Sequence, residues 1–169
     1  ETLLAFDQLT GLPNRSAFLY ALVGVLENTR KDSKQATVLH IDLDEFFGVN
    51  DALGTDEADQ VIAEIARRIK DTLRQADRLA RLGNDKFAIV LGPHEAGIDE
   101  DIRDVTTRVM TAIGQPVVRS NKTINVTASI GIAAFPNDGD NASELLSHAV
   151  NATERAKIDG GNTYCRFDA

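Results

Sequence analysis

Cysteine is almost absent from this chain. Cys165 stands alone among 169 residues, so no internal disulfide can form, and a reducing, cytoplasmic compartment is expected. Tryptophan is missing, aromatic residues make up 5 % of the chain, and no apolar run approaches the ~20 residues of a membrane-spanning helix. Neither a basic-then-apolar leader nor a P-loop or dinucleotide fingerprint appears. Cations are outnumbered, with 18 Lys and Arg against 26 Asp and Glu and a net charge of −8. That balance argues against non-specific nucleic-acid binding, which needs clustered cations against phosphates. It leaves room for a small phosphorylated ligand, because such sites are built locally. His40, His94 and His148 do not fall at metal-ligand spacing, and packing roles are expected for all three.

What is present suits an ordinary globular protein: 43 % hydrophobic and 26 % charged residues, in a length that fits one domain spanning 1–169. The opening at Glu1, close to the first structural signal, leads us to expect a domain taken from a larger protein. Gly11 and Pro13 mark a turn, after which Ser16 is expected to cap a helix running to about Asn28. Ala36–Leu43 reads as a buried strand ending in Asp42 and Asp44. Ala58, Val61, Ile62, Ile65, Ile69 and Leu73 give one apolar face to a helix over about Asp56–Arg74. Arg78–Leu82 and Lys86–Leu91 read as a hairpin around Gly83-Asn84-Asp85. A helix over Asp99–Ile113, a long strand within Thr123–Phe135, a helix from Asn141 to about Lys157 and a short strand near Tyr164–Phe167 follow. Helices and strands alternate around a hairpin. The expected fold is therefore α/β, an α+β sandwich with a central mixed sheet flanked by helices.

One constellation bears on chemistry. Asp42 and Asp44 end a buried strand and Asp85 sits on the hairpin tip. If those strands are neighbours, the acids converge, and paired carboxylates there can share Mg²⁺ with substrate phosphates. Equally, acids at strand ends and turns are often simply solvated.

Five segments, in order along nearly the whole chain, resemble the landmarks of the GGDEF family of diguanylate cyclases. They are Asp7-Gln8-Leu9-Thr10-Gly11-Leu12-Pro13-Asn14-Arg15, then Asp42-Leu43-Asp44-Glu45-Phe46-Phe47 with Asn50-Asp51, and Arg81-Leu82-Gly83-Asn84-Asp85-Lys86-Phe87 at the name-giving hairpin. Thr127-Ala128-Ser129-Ile130-Gly131-Ile132 and Ala156-Lys157 with Gly160-Gly161-Asn162 complete the set. The resemblance implies a nucleotidyl-cyclase-like palm with a mostly antiparallel sheet. It also implies a reaction in which two GTP molecules, one per domain of a dimer, are joined into cyclic di-GMP with Mg²⁺. By position it makes Asp42 a metal ligand with the Leu43 carbonyl beside it. Asn50 and Asp59 become guanine contacts, Asp85 the residue that activates the attacking hydroxyl, and Lys157 a phosphate contact.

The departures from the family pattern fall on that chemistry. Asn84 stands where a glycine lets phosphate approach the backbone, though asparagine tolerates the positive φ of such a turn. Lys86 replaces a metal-ligand carboxylate. Even at an effective dielectric near 20, two unit charges ~4 Å apart interact by ~4 kcal/mol, and a divalent ion roughly doubles this. Phe47 and Gly161 stand in place of a phosphate-contacting Lys and Arg, while Thr55 and Ala58 replace the usual His and Gly. The expectation is a degenerate member needing no cofactor, its Mg²⁺ site vestigial and weak. Lys86 either substitutes for the missing cation or marks drift in an unused site.

Arg74-Gln75-Ala76-Asp77 lies five residues before the hairpin motif and resembles the family's RxxD inhibitory site for cyclic di-GMP. A guanidinium fork suits phosphate or the guanine O6/N7 edge, although such a pair on a surface is also commonly just solvated. Arg103 or Arg108 is expected to complete it. Three functions are open at this point: a non-catalytic receptor of cyclic di-GMP or GTP, an active cyclase, and a nucleotide-free dimerisation or docking module. A neighbouring EAL phosphodiesterase or sensory domain is the partner that the resemblance implies, with a homodimer also open and no nucleic-acid or membrane contact.

Overall fold

A computed structural model describes residues 5–95 and 99–168. The first helix, α1 (Arg15–Lys31), starts two residues earlier than the Ser16 reading requires: Asn14 is the cap, its side-chain oxygen accepting from the Ala17 amide at 3.0 Å. Asparagine serves this position as well as serine does. Next come β1 (Gln35–Leu43), α2 (Phe47–Leu53) and α3 (Thr55–Thr72), then the hairpin strands β2 (Arg78–Gly83) and β3 (Lys86–His94). The chain continues through α4 (Asp99–Ile113), β4 (Val117–Arg119), β5 (Lys122–Ile124), β6 (Ala128–Phe135), α5 (Ala142–Ile158) and β7 (Thr163–Arg166).

Five strands form one sheet in the order β2-β3-β1-β6-β7, antiparallel except for the parallel β6–β7 edge. Because side chains alternate across a strand, β1 feeds two cores. Leu39, Ile41 and Leu43 pack under α3 and α4 with Val61, Ile65, Ile69 and Val109. Ala36 and Val38 pack on the other face with Phe18 and Leu22 of α1 and Leu145, Leu146 and Ala149 of α5. The sandwich architecture and the mostly antiparallel sheet are as the sequence indicates. No helix among the described residues is long and apolar enough to cross a membrane.

Two further differences from the sequence reading have local causes. The long strand within Thr123–Phe135 is two strands, because the chain leaves the ladder at Asn125–Thr127. There Thr127 gives its carbonyl to the Asp44 amide (2.8 Å) and its hydroxyl to the Asp44 carboxylate (2.7 Å). β4 and β5 are too short to show alternation, and join through Ser120 and Asn121, both at positive φ, as a two-residue hairpin requires. α2 carries no buried residue, so it has no apolar stripe to read.

Candidate functional site

The acids do converge. β1 and β3 are adjacent, and their register sets Asp42 directly opposite Lys86, with the Asp85 carbonyl accepting from the Leu43 amide at 3.0 Å. On its other side Asp42 pairs with Ser129 of β6. Lys157 reaches in from the last turn of α5.

Four ion pairs tie this end of the sheet together. The Lys86 ammonium lies 3.3 Å from Asp85 and 3.7 Å from Asp42. That of Lys157 lies 3.7 Å from Asp42 and 3.4 Å from Asp44. Asp44 also accepts from the Thr127 and Ser129 hydroxyls, both at 2.7 Å, and from the Asn162 amide at 2.9 Å. Burial alone would raise its pKa, but these hydrogen bonds and Lys157 outweigh burial and hold it below the usual carboxylate value. Asp42 has no such donors. Its burial raises its pKa against the pull of Lys157 and Lys86.

This donor set does not suit a divalent cation. Mg²⁺ needs free oxygen ligands, whereas Asp44 is saturated by protein donors, Asp42 and Asp85 share the Lys86 ammonium, and Asp42 also faces Lys157. Gly161 adjoins the same carboxylate: at φ +75° a side chain there would meet Asp44 at 3.3 Å. Among the described residues, no three His, Cys, Asp or Glu side chains are grouped as metal ligands.

The hairpin turn keeps its shape without the second glycine. Asn84 adopts φ +40° and Gly83 φ +142°, a value that favours glycine. Arg81 fixes the turn from below, donating to the Asn84 carbonyl at 3.1 and 2.7 Å. Its third nitrogen holds Asp7 (3.0 Å), which also accepts from the Thr10 amide and hydroxyl. Burial tends to raise the Asp7 pKa, yet the Thr10 and Arg81 bonds prevail and lower it. The sequence gives both residues as parts of motifs without assigning them this contact. Opposite charges in two separated motifs are the only signal that could have paired them.

Beside the turn a cavity of about 550 Å³ is lined by Phe47, Asn50, Asp59, Asn84, Asp85 and Lys86, among others. Neither the Asn50 nor the Asp59 side chain has a partner among the described residues. The structure thus brings Asn50, Asp59 and Lys86 to one cavity, while Lys157 stands behind it on Asp42 and Asp44.

Arg74 and Asp77 follow α3 and line a separate cleft of about 180 Å³ with His94, Asp101 and Val105. The Asp77 carboxylate accepts from the Arg74 amide at 3.0 Å, closing the turn between α3 and β2. The exposed Arg74 guanidinium has no partner among the described residues. Of the two arginines considered beside it, Arg108 donates to the Thr72 carbonyl at 3.3 Å, two residues before Arg74. Neither Arg103 nor Arg108 lines the cleft. The three histidines are in packing roles: His40 is buried against Thr153 (2.8 Å), His94 meets Thr37 (2.9 Å) and His148 stacks on Phe167.

The fold and these landmarks define a cyclase-palm domain, and comparison with known proteins agrees. The chain matches the family described as diguanylate cyclase, GGDEF domain, over residues 4–163, and it belongs to that family. It is 38 % identical over 160 residues to the cyclic di-GMP phosphodiesterase NbdA of Pseudomonas aeruginosa, covering 93 % of this chain and 20 % of that one. The solved GGDEF domain of P. aeruginosa TpbB superposes with a TM-score of 0.90 at 34 % identity, covering 96 % and 94 % of the two chains. That of Caulobacter crescentus DgcB, solved in complex with c-di-GMP, does so with 0.88 at 25 %, covering 98 % and 94 %. The chain spans between a fifth and about a third of the length of the first curated relatives it matches. A place in cyclic di-GMP signalling follows from the family.

Proposed function

We propose that this is a non-catalytic regulatory domain that responds to cyclic di-GMP bound at Arg74 and Asp77. One contrast carries the reading: Lys86 engages Asp42 and Asp85, the carboxylates read as metal ligand and as activator of the attacking hydroxyl, while the Arg74 guanidinium stands free over an open cleft. A guanidinium fork can take a phosphate or the Hoogsteen edge of guanine, and Asp77 retains a carboxylate oxygen for guanine N–H groups. The same proposal places a guanine ligand, without turnover, at Asn50 and Asp59. It requires no cofactor, a cytoplasmic setting, and a neighbouring domain, of phosphodiesterase or sensory type, to receive the signal.

Calorimetry tests it directly. Cyclic di-GMP is expected to bind the wild-type domain and to lose that binding in Arg74→Ala, and absence of binding to wild type would overturn the proposal. A second reading, an active cyclase, is favoured by the presence of Asp42, Asp85 and Lys157 and by relatives named as diguanylate cyclases. Incubation with GTP and Mg²⁺ or Mn²⁺ decides between them, since cyclic product that vanishes in Asp85→Ala would establish turnover. A third, a nucleotide-free docking module, requires that no nucleotide binds at either cavity.

A further inference from the structure

The polar groups around the 550 Å³ cavity divide sharply into spent and unspent. At one end Asn50 and Asp59 present an amide and a carboxylate with no protein partner among the described residues, and Phe47, 68 % exposed, offers an aromatic face beside them. These are the groups a purine base uses: hydrogen bonds to its polar edge and a ring to stack on. At the other end the cations that line the cavity, and Lys157 behind it, are engaged. Lys86 is shared between Asp42 and Asp85, and Lys157 between Asp42 and Asp44. Arg81 is committed to Asp7 and the Asn84 carbonyl.

Charge at that end is therefore net negative, with the three carboxylates Asp42, Asp44 and Asp85 against the two ammonium groups. Among the described residues that line the cavity, a triphosphate arriving there meets no free cation, and a divalent ion that would mask its charge finds carboxylates already paired with lysine. To bind, it must pull Lys86 from its carboxylates, which leaves Asp85 unpaired and Asp42 with Lys157 alone.

We propose that this cavity selects guanine ligands of low charge, the nucleoside or its monophosphate, over the triphosphate, and does so without a divalent cation. The proposal rests on the reading of Asn50 and Asp59 as guanine contacts and adds the ligand class. It makes Lys86 and Lys157 built-in counter-ions of the sheet end rather than hands for a phosphate chain.

The test is an NMR-monitored titration of an Arg74→Ala domain, in which the other cleft is silenced, with guanosine, GMP and GTP, each in EDTA and in excess Mg²⁺. Guanosine is expected to bind more tightly than GTP by about tenfold or more, with Mg²⁺ leaving guanosine affinity unchanged and Asn50→Ala abolishing it. In Asp85→Asn, which removes one carboxylate and leaves Lys86 with Asp42 alone, GTP binding is expected to tighten by ~threefold, the scale of an exposed charge pair, while guanosine binding holds. GTP binding more tightly than guanosine in wild-type Asn50/Asp59/Lys86 surroundings, with or without Mg²⁺, would overturn the proposal while leaving the guanine reading intact. Failure of all three ligands to perturb the cavity would overturn both.

Discussion

Single residues decide most of what this domain can do chemically. His40 is one that the sequence could only place in a strand. It is 2 % exposed, pairs with Gly131 in the sheet and meets the Thr153 hydroxyl under α5. Burial, with Lys86, Arg15 and Lys157 adding like charge, lowers its pKa from 6.5 to about 4. The folded state therefore prefers the neutral ring, and between about pH 6.5 and 4 the unfolded chain binds more protons. Stability accordingly falls as pH falls through that window and levels off below it, by about 3 kcal/mol in total. Urea unfolding across the window checks this, and His40→Gln is expected to flatten that part of the slope. Lys86 was legible as a chemical anomaly from its position in the hairpin motif. Its contact with Asp42 was not, because cross-strand register is fixed by packing of the whole sheet rather than by local sequence.

Secondary-structure elements show the same division. Elements with a long buried face, such as α3 and β1, were readable, since their periodicity is imposed by the core. α2, β4 and β5 were not, being short, exposed or both. The best-hidden constraint is between α5 and β6: a Cβ on Gly131 would lie 2.0 Å from the Ala149 carbonyl oxygen and 2.3 Å from the Thr153 amide nitrogen. Helix and sheet approach that closely only because the strand residue has no side chain. Gly131→Ala is expected to cost at least the ~1–3 kcal/mol typical of overpacking, read as a lower urea midpoint with the fold retained by circular dichroism. At the start of α5, Asn141 accepts from the Glu144 amide (2.9 Å) while Glu144 accepts from the Asp140 amide (2.8 Å), one residue before the reciprocal contact of a capping box. Asn141→Ala is expected to lower stability by ~1 kcal/mol. Arg81 similarly makes the hairpin depend on Asp7. Both side chains are largely buried, so removing one partner alone should cost more than removing both, a result that a double-mutant cycle would display.

At the scale of the molecule, two apolar cores share one sheet, with β1, β3 and β6 contributing to each. Unfolding is accordingly expected to be a single transition, and cyclic di-GMP at Arg74 to raise it as a whole. At one hundred times its dissociation constant the gain is ~2.7 kcal/mol, measurable by scanning calorimetry and absent in Arg74→Ala. The sandwich was legible because its pattern is distributed along the chain. The electrostatic state of the sheet end was legible only as a list of charges, and geometry was needed to show which ones meet. That geometry also bears on how the sequence can change. Replacing Lys86 by a carboxylate would set it beside Asp42 and Asp85, with Lys157 the remaining lysine of the network. Adding a cation at position 161 first would press a side chain on to Asp44 from a backbone already at φ +75°. Positions 86 and 161 are thus coupled through Asp42 and Asp44, and a change of charge at one alters the setting in which the other is read.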